Sequence, residues 1–266
     1  MSDPPRRLVG RRVFLTGGGS GIGHATALRL ASEGAAVAVA DKRAESAQAV
    51  AREIEASGAK ALACALDVGD EAQVRRGVAE AADAFGGLDS VFANAGTAGS
   101  GWIHETSLAD WEAVIRTNLT GVFLTAKHTL PHLLEAGGGA VVTTASVAAH
   151  VIAAGGSAAS YAASKGGVLQ LTKQIAVDYG DQNIRANCLC PGAVKTGIAT
   201  HSGEDIRGQT TPVPEGGRLP RALFRPPMAR VADPSEQAAV VAFLLSDDAS
   251  FMTGASVLVD GGYTAI

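Results

Sequence analysis

The residues of this sequence best suited to chemistry are Tyr161 and Lys165, which stand four positions apart in SVAAHVIAAGGSAASYAASK (146–165). Lys165 is the one formal charge of that stretch. Side chains at positions i and i+4 of a helix point the same way, so a helix that begins near Ser160 would bring the phenol and the amine together. An ammonium about 4 Å from the phenol, at an effective dielectric near 20, supplies roughly 4 kcal/mol. This is enough to lower a phenol pKa of about 10 by roughly 2–3 units, which favours an acid–base pair. The structural alternative is a helix whose lysine reaches the surface.

A glycine-rich segment, TGGGSGIG (16–23), lies between the first predicted strand and the first predicted helix. Glycines in such a turn let backbone N–H groups approach a pyrophosphate, and the helix N-terminus adds a favourable dipole. The spacing is G-x-x-x-G-x-G, so the prediction depends on the strand–loop–helix context rather than on the glycine pattern alone. We expect this segment to bind a dinucleotide through Gly17, Gly19, Ser20, Gly21, Ile22 and Gly23.

An acidic residue follows or ends each of the next two predicted strands. Asp41 stands about twenty residues after the glycine segment, where a carboxylate accepts hydrogen bonds from adenosine ribose hydroxyls and repels a 2′-phosphate. This favours NAD over NADP, although Lys42 and Arg43 follow directly and partly offset the repulsion. Asp67, with Val68, is a candidate adenine contact. For both acids, capping of the next helix is the alternative interpretation.

The rest of the sequence predicts the fold that would position these residues. Short β-branched or Ala-rich apolar runs alternate with helical patterns, and nearly continuous apolar runs such as AVAVA are typical of parallel sheets covered on both faces. We therefore expect a single α/β domain (1–266) with a Rossmann-type, doubly wound parallel sheet of about seven strands and helices on both faces. The predicted strands are 13–17, 35–41, 61–68, 90–96, 139–146, 185–192 and 256–262. The predicted helices lie near 22–33, 44–57, 70–85, 108–136, 161–180 and 234–246.

Composition and charge exclude several classes of protein. A formal charge of −4 argues against a nucleic-acid binder. The N-terminus lacks the apolar core of a signal peptide, and no apolar run approaches the ~20 residues of a membrane span. The three cysteines include no C-x-x-C pair, and the six histidines form no metal-spaced cluster. We expect a cytoplasmic protein with reduced thiols, no metal, and no nucleic-acid or membrane partner.

One segment, 197–230, interrupts the alternation of strands and helices. It carries five of the ten prolines and no clear strand. Loops of this length inside a compact domain are usually lids or binding loops, so we predict a substrate-binding loop or lid. Its five arginines against three acids permit an anionic substrate, and a solvated loop is the alternative.

Taken together, the motifs resemble the classical short-chain dehydrogenase/reductase family over nearly the whole length. The resemblance consists of the glycine segment, Asn94-Ala95-Gly96, Asn118 in RTNLTGVF, Ser146, Tyr161-x-x-x-Lys165, Asn187-x-x-x-Pro191-Gly192 with Thr196, and TG-x₅-DGG from Thr253 to Gly262. It implies that Tyr161 moves the proton between the substrate oxygen and the protein. Lys165 would hold the nicotinamide ribose and lower the tyrosine pKa, and Ser146 would orient the substrate oxygen. The family also implies that Asn118 holds a water that links the lysine to solvent.

The resemblance extends the expected cofactor site beyond the glycine segment and the two acids. Besides Tyr161 and Lys165, it implies contacts from Asn94, Ala95, Gly96, Pro191, Gly192, Val194 and Thr196, with Thr196 near the carboxamide. The expected substrate contacts are Ser146, Tyr161 and His150, although a histidine of a surface loop is the alternative for His150. Ser146 precedes Tyr161 by fifteen residues, about two more than the family usually shows. We expect this extra length to reshape the substrate side of the pocket.

The predicted function is an NAD-dependent dehydrogenase or ketoreductase that exchanges a hydride between a small-molecule secondary alcohol or ketone and the nicotinamide. One alternative is an NADPH-linked reductase of the same family, such as a 3-oxoacyl reductase, and Asp41 argues against it. A non-enzymatic, dinucleotide-sensing protein is the other alternative, and the intact set of Asn118, Ser146, Tyr161 and Lys165 argues against it. The resemblance also implies a homotetramer, in which the helices that carry Asn118 and Tyr161 form one interface and the C-terminal strand forms another. Neither the sequence nor the resemblance identifies the substrate.

Overall fold

The computed structural model describes residues 6–99, 101–152, 159–196 and 226–265. Within these ranges the chain forms one seven-stranded sheet, and every strand pair in it is parallel. The strands are β1 (Arg12–Thr16), β2 (Ala36–Asp41), β3 (Ala61–Ala65), β4 (Ser90–Ala93), β5 (Gly139–Thr144), β6 (Ile184–Pro191) and β7 (Ser256–Val259). The helices are α1 (Gly21–Ser32), α2 (Ala44–Ala56), α3 (Glu71–Phe85), α4 (Leu108–Ile115), α5 (Gly121–Glu135), α6 (Ala159–Tyr179) and α7 (Pro234–Leu245).

Apolar side chains on both faces of the strands require helices on both sides of the sheet. Val13 and Leu15 of β1 belong to a core cluster that α1, α2 and α7 cover. Phe14, between them, points to the opposite face and joins a cluster that α3, α5 and α6 cover. All three side chains are fully buried. The expected Rossmann-type sheet is therefore confirmed, as is its count of seven strands.

The strand order β3-β2-β1-β4-β5-β6-β7 reverses direction between β1 and β4. In open α/β sheets, ligands bind in the crevice outside the carboxyl ends of the strands at such a reversal. The loops after β1 and β4 begin there, and they carry the glycine segment and Asn94-Ala95-Gly96. The topology thus brings two motifs that are far apart in sequence to one crevice.

The predicted helix at 108–136 forms, but it is not α-helical throughout. Residues Arg116–Thr120 form a π-helical turn between α4 and α5. Such turns insert one extra residue and are frequent at functional sites, and this one contains Asn118. Helical periodicity in sequence cannot distinguish it from regular α-helix, which explains why it was not predicted.

One predicted segment lies largely outside the described residues. The predicted substrate loop 197–230 falls mostly on residues 197–225, which lie outside them.

None of the helices in the described ranges combines the length and the apolar character that a membrane span needs.

A buried carboxylate attaches the N-terminal segment to the domain. The side chain of Glu33, at the end of α1, is fully buried. Arg7 donates to it through Nε (2.7 Å) and Nη2 (2.8 Å), and Arg29 donates through Nε at 2.5 Å. Burial acts to raise the pKa of Glu33, but the two guanidinium groups outweigh it and hold the pKa below its ordinary value.

Replacing Glu33 should therefore destabilise the fold in a pH-dependent way. We expect Glu33→Gln to lower the free energy of unfolding at pH 7 by about 3 kcal/mol, because it leaves two partly buried arginines without their carboxylate. A carboxyl with a depressed pKa stabilises the fold above its unfolded pKa, and that contribution disappears as pH falls through the folded pKa. The difference between the two proteins in urea denaturation should thus shrink below about pH 4. The exposed Glu55→Gln is the control, and an equally large effect there would contradict this assignment.

Candidate active site

The glycine segment forms a turn with no room for side chains. Gly17 has φ +67°, and a Cβ on it would lie 2.7 Å from the Ala95 Cα. A Cβ on Gly23 would lie 2.0 Å from the Gly17 carbonyl oxygen. The loop after β1 is therefore packed directly against its own helix and against the loop after β4. This close approach of backbone atoms is what a pyrophosphate cradle requires.

The N-terminus of α1 faces this turn. Ser20 is its N-cap residue, and its side chain makes no capping hydrogen bond to the first turn. Ile22 anchors that turn by packing against the core, and Gly21, the first residue of α1, has φ +54°. A Cβ on Gly21 would lie 3.0 Å from Thr196 Cγ2, so the segment after β6 reaches the same cradle. The two segments that are predicted to contact the pyrophosphate are thus brought together.

Asp41, at the end of β2, lies against the glycine segment. Its Oδ2 accepts the backbone N–H of Gly19 at 2.9 Å, and its Oδ1 accepts that of Arg43 at 3.0 Å. The Arg43 guanidinium is 3.8 Å from the carboxylate and 3.4 Å from Ser20 Oγ. The cradle therefore presents an acid and a cation side by side at the position expected for the adenosine ribose.

Asp67 is held by two cations. Arg116 Nη2 lies 2.9 Å and Lys42 Nζ lies 3.4 Å from Asp67 Oδ2, and the Gly69 N–H donates to Oδ1 at 2.9 Å. Burial acts to raise the pKa of Asp67, but these partners outweigh it and lower the pKa below the ordinary value. Lys42 thus directs its charge to Asp67, whereas Arg43 is the basic residue close to Asp41.

Helix capping was the alternative for both acids, and neither of them is the N-cap residue of the helix that follows it. The N-cap of α3 is Asp70, whose side chain accepts the Gln73 N–H at 3.0 Å. The N-cap of α2 is Arg43, whose side chain makes no capping bond. Val68, the second expected adenine contact, is buried, and a Cβ on Gly121 would lie 2.6 Å from its Cγ2. The adenine contacts themselves stay a prediction.

Asn94 joins three strands at the carboxyl edge of the sheet. Its Nδ2 is 3.3 Å from the carbonyl oxygens of Thr16 and Gly17, and its Oδ1 accepts the Thr144 hydroxyl at 3.1 Å. Its side chain therefore connects the ends of β1 and β5 to its own position after β4. This arrangement indicates that Asn94 shapes the cofactor crevice by fixing the loops around it.

Asn118 is fully buried in the π-helical turn. Its Oδ1 accepts the Thr97 N–H at 2.8 Å, and its Nδ2 donates to the Thr97 carbonyl at 2.9 Å and to Ser164 Oγ at 3.1 Å. The side chain thus links the loop after β4 to α6. A Cβ on Gly96 would lie 3.3 Å from Asn118 Oδ1 and 3.4 Å from Lys165 Nζ, so both groups border one small space.

Tyr161 and Lys165 lie on the first turns of α6, as their spacing predicts. Lys165 Nζ is 5.6 Å from the centre of the Tyr161 ring and donates to the Thr144 carbonyl at 2.7 Å. Ser146, near the start of the loop after β5, hydrogen-bonds the phenol side chain. The three predicted catalytic groups and Asn118 are therefore assembled around the end of β5.

The pKa values at this site differ from the expectation for the tyrosine. Burial raises the pKa of the Tyr161 phenol, and the hydrogen bond with Ser146 acts in the opposite direction without cancelling it. Burial also lowers the pKa of Lys165 to about 8, against the influence of the Cys188 and Cys190 thiols. The expectation treated the lysine as a full charge about 4 Å from the phenol. Instead, the amine lies 5.6 Å from the ring centre and donates a hydrogen bond to the Thr144 carbonyl. Desolvation opposes the charged form of both groups.

The segment after β6 closes the other side of the crevice. Gly192 follows Pro191, and a Cβ on it would lie 2.8 Å from the Asp260 Cα. Val194 forms a parallel bridge with Ala232. These contacts hold the segment that ends at Thr196 between the sheet and the start of α7. The predicted contacts at 191–196 therefore border the crevice, and their part in binding stays a prediction.

His150 is directed to β7. Its Nε2 is 2.6 Å from Ser256 Oγ. Residues 153–158, where most of the remaining loop between Ser146 and Tyr161 lies, are outside the described residues. A contact between His150 and a substrate stays a prediction.

Sequence reasoning did not select Thr144, Thr97 or Ser164, although each holds a predicted site residue in place. Thr144 ends β5, and polar residues at the carboxyl ends of parallel strands are a usable signal. Ser164 stands three residues after Tyr161, and its hydroxyl donates to the Tyr161 carbonyl at 2.7 Å. No local pattern marks Thr97. Among the described residues, no three His, Cys, Asp or Glu side chains are grouped as a metal site would require.

Comparisons with known proteins agree with this geometry. Residues 17–264 match the family model described as Enoyl-(Acyl carrier protein) reductase. The chain is 42% identical over 257 residues to cis-4-hydroxycyclohexanecarboxylate dehydrogenase of Sinomonas cyclohexanicum, covering 96% of this chain and 97% of that protein. It is 38% identical over 259 residues to meso-2,3-butanediol dehydrogenase of Serratia marcescens, covering 97% and 96% of the two chains.

Solved structures are similar over the same extent. A short-chain type dehydrogenase/reductase from Mycobacterium marinum superposes with a TM-score of 0.88 at 34% identity, covering 98% of both chains. A short chain dehydrogenase from Burkholderia cenocepacia in complex with NADP has a TM-score of 0.83 at 33% identity, covering 97% of this chain and 99% of that one. A 7α-hydroxysteroid dehydrogenase complexed with NADH has a TM-score of 0.86 at 30% identity, covering 98% and 97%. Because these similarities span nearly the full length of this chain and of each relative, the protein belongs to the short-chain dehydrogenase/reductase family.

Proposed function

We propose that this protein is an NAD-dependent oxidoreductase that interconverts a secondary alcohol and its ketone, with Tyr161 as the general acid and base. The observation that carries the proposal is the meeting of Tyr161, Lys165 and Ser146 at the carboxyl edge of the sheet, beside the glycine cradle. When bound, the nicotinamide supplies the hydride acceptor for oxidation or the hydride donor for reduction. The cradle fits such a group, since glycine is required at positions where a side chain would fill it.

Each side chain has a distinct task in this mechanism. During oxidation Tyr161 Oη accepts the proton of the substrate hydroxyl, and during reduction it returns a proton to the carbonyl oxygen. Ser146 hydrogen-bonds the same oxygen and the phenol, which orients the substrate. Lys165 and Asn118 border the small space at Gly96, where a water would connect the phenol side of the site to solvent. The raised pKa of Tyr161 keeps the phenol protonated at neutral pH, ready for carbonyl reduction. As a base, the phenol needs nearby positive charge.

The substrate class is suggested by the relatives. Both curated relatives are named for an alcohol on a secondary carbon, one cyclic and one a vicinal diol. Cyclic secondary alcohols, vicinal diols and the matching ketones are therefore the first compounds to test. We further propose that 197–230 is the substrate-binding loop, because its position between β6 and α7 follows the segment that borders the crevice.

NAD is the proposed cofactor because the Asp41 carboxylate lies at the glycine segment. A 2′-phosphate placed there would meet a like charge, which costs binding free energy. Arg43 lies close enough to offset part of that repulsion. The balance between these two residues is the physical basis of the preference.

We also propose a cytoplasmic homotetramer. Large apolar side chains are exposed on the elements that the family resemblance assigns to subunit contacts: Phe123 on α5, Val177 on α6 and Leu258 on β7. Two different two-fold interfaces on one chain generate a closed tetramer.

Substituting Tyr161 by Phe tests the acid–base assignment. We expect kcat with an identified alcohol to fall by about 10²- to 10⁴-fold, because the proton acceptor is lost while the ring remains. NAD binding, followed by fluorescence, should be nearly unchanged. Tyr179→Phe, at the far end of α6, is the matched control and should retain full turnover. Near-wild-type turnover by the Tyr161 variant would disprove the role.

Substituting Asp41 by Ser tests the cofactor preference. We expect the wild-type protein to prefer NAD in kcat/KM, and the variant to shift the ratio toward NADP by about 10- to 100-fold, equivalent to about 1.4–2.8 kcal/mol. Glu45→Gln, in the first turn of α2, controls for the general loss of a negative charge. A wild-type preference for NADP would contradict the proposal.

Light scattering tests the oligomer. We expect a particle of four times the 26.8 kDa chain mass. Leu258→Glu should reduce it to a dimer, because the charge disrupts one interface and leaves the other intact. A monomeric wild-type protein would refute the tetramer without affecting the proposed chemistry.

A further inference from the structure

The turn that follows Ser146 is tied to β7 by one side-chain hydrogen bond. His150 Nε2 is 2.6 Å from Ser256 Oγ, across 106 residues of sequence. His150 ends the short 3₁₀ turn Val147–Ala149, which Ser146 begins as N-cap, and Ser256 is the first residue of β7. The bond therefore fastens the far end of the turn that carries Ser146 to the edge strand of the sheet.

A buried thiol connects this bond back to Ser146. Ser256 Oγ lies 3.3 Å from Cys190 Sγ, and Cys190 is fully buried on β6. The backbone N–H of Ser146 faces the same sulfur. His150, Ser256, Cys190 and Ser146 thus form a closed circuit of contacts, in which both ends of one short turn meet two neighbouring strands.

These contacts help to fix the position of Ser146. Its hydroxyl hydrogen-bonds the Tyr161 phenol, and it is also held by the Ala148 N–H at 3.2 Å. The turn itself is one 3₁₀ unit with no fully buried side chain, and within it Ala149 packs against the apolar cluster that includes Cys190. Precise placement of a group that touches the substrate oxygen requires support from outside the turn.

We propose that His150 and Ser256 form an anchor that positions Ser146 through Cys190, which makes both of them positioning residues for the oxidoreductase activity. This proposal rests on the proposed function. Such an anchor is useful in this chain because the segment between Ser146 and Tyr161 is longer than the family usually shows. A longer connection has more conformations to restrict, and a fixed point at position 150 restricts its first part.

The test compares His150→Ala, Ser256→Ala and the double variant in steady-state turnover of an alcohol with NAD. Each single variant should lower kcat by about 5- to 50-fold, because small displacements of a positioning group are costly, and should change the KM for the alcohol by less than about threefold. The double variant should be no worse than either single one, since both remove the same link. His150→Gln, whose amide can reach Ser256, should recover most of the activity. His132→Ala, on α5, is the control and should have no effect.

Either of two kinetic results would overturn the anchor. If His150→Ala impairs turnover while Ser256→Ala does not, His150 acts on the substrate directly. Additive losses in the double variant would also overturn it, because the two residues would then act independently.

A second measurement does not depend on turnover. The rate at which iodoacetamide labels Cys190, read by peptide mass spectrometry, should rise at least about threefold in both single variants and return toward wild type in His150→Gln. Cys64, buried between β3 and α3, is the internal reference for general unfolding. Unchanged labelling of Cys190 would overturn the anchor. If the wild-type protein turned over no alcohol or ketone with either dinucleotide, the proposed function would fail, and the labelling would still decide the anchor.

Discussion

The candidate active site depends on keeping a lysine amine beside a phenol where both groups are largely removed from water. Lys165 is 2% exposed, and burial lowers its pKa to about 8 while burial raises the pKa of Tyr161. Both shifts oppose charge, so polar groups of the protein have to replace the lost solvent. The Thr144 carbonyl does so for the amine, and Ser146 does so for the phenol. The remaining structure can be understood as the means of holding these two partners at the end of β5.

The parallel sheet supplies that means because its carboxyl ends meet at one edge. Loops after β1, β4, β5 and β6 all start there, and Asn94 connects three of them through hydrogen bonds to main-chain and side-chain oxygens. Asn118 likewise connects two segments by hydrogen bonds, in this case the loop after β4 and α6. The π-helical turn is the local distortion that points this side chain inward, which agrees with the frequent occurrence of such turns at functional sites.

Electrostatics on the adenosine side of the crevice are divided between two acids. Asp67 is paired with Lys42 and Arg116, whereas Asp41 is bonded to the backbone of the glycine segment with Arg43 alongside. The adjacent basic residues 42 and 43 therefore do not act as one patch. A cation committed to Asp67 contributes less to the field at Asp41, so a 2′-phosphate would meet the acid and one arginine there.

The sequence by itself determined the features that arise from short-range spacing. Alternating apolar runs specified the doubly wound sheet, the strand–glycine–helix order specified the cradle, and the i, i+4 relation of Tyr161 and Lys165 placed both on one helical face. Only the tertiary structure decided the π-helical turn at Asn118, the bond from Lys165 to Thr144, the direction of the tyrosine pKa shift and the contact between His150 and Ser256. Except for the π-helical turn, each of these depends on segments that are distant in the chain and are brought together, and stripped of water, by packing of the sheet. Local pattern carries no information about that packing, because the same spacing can be buried or exposed.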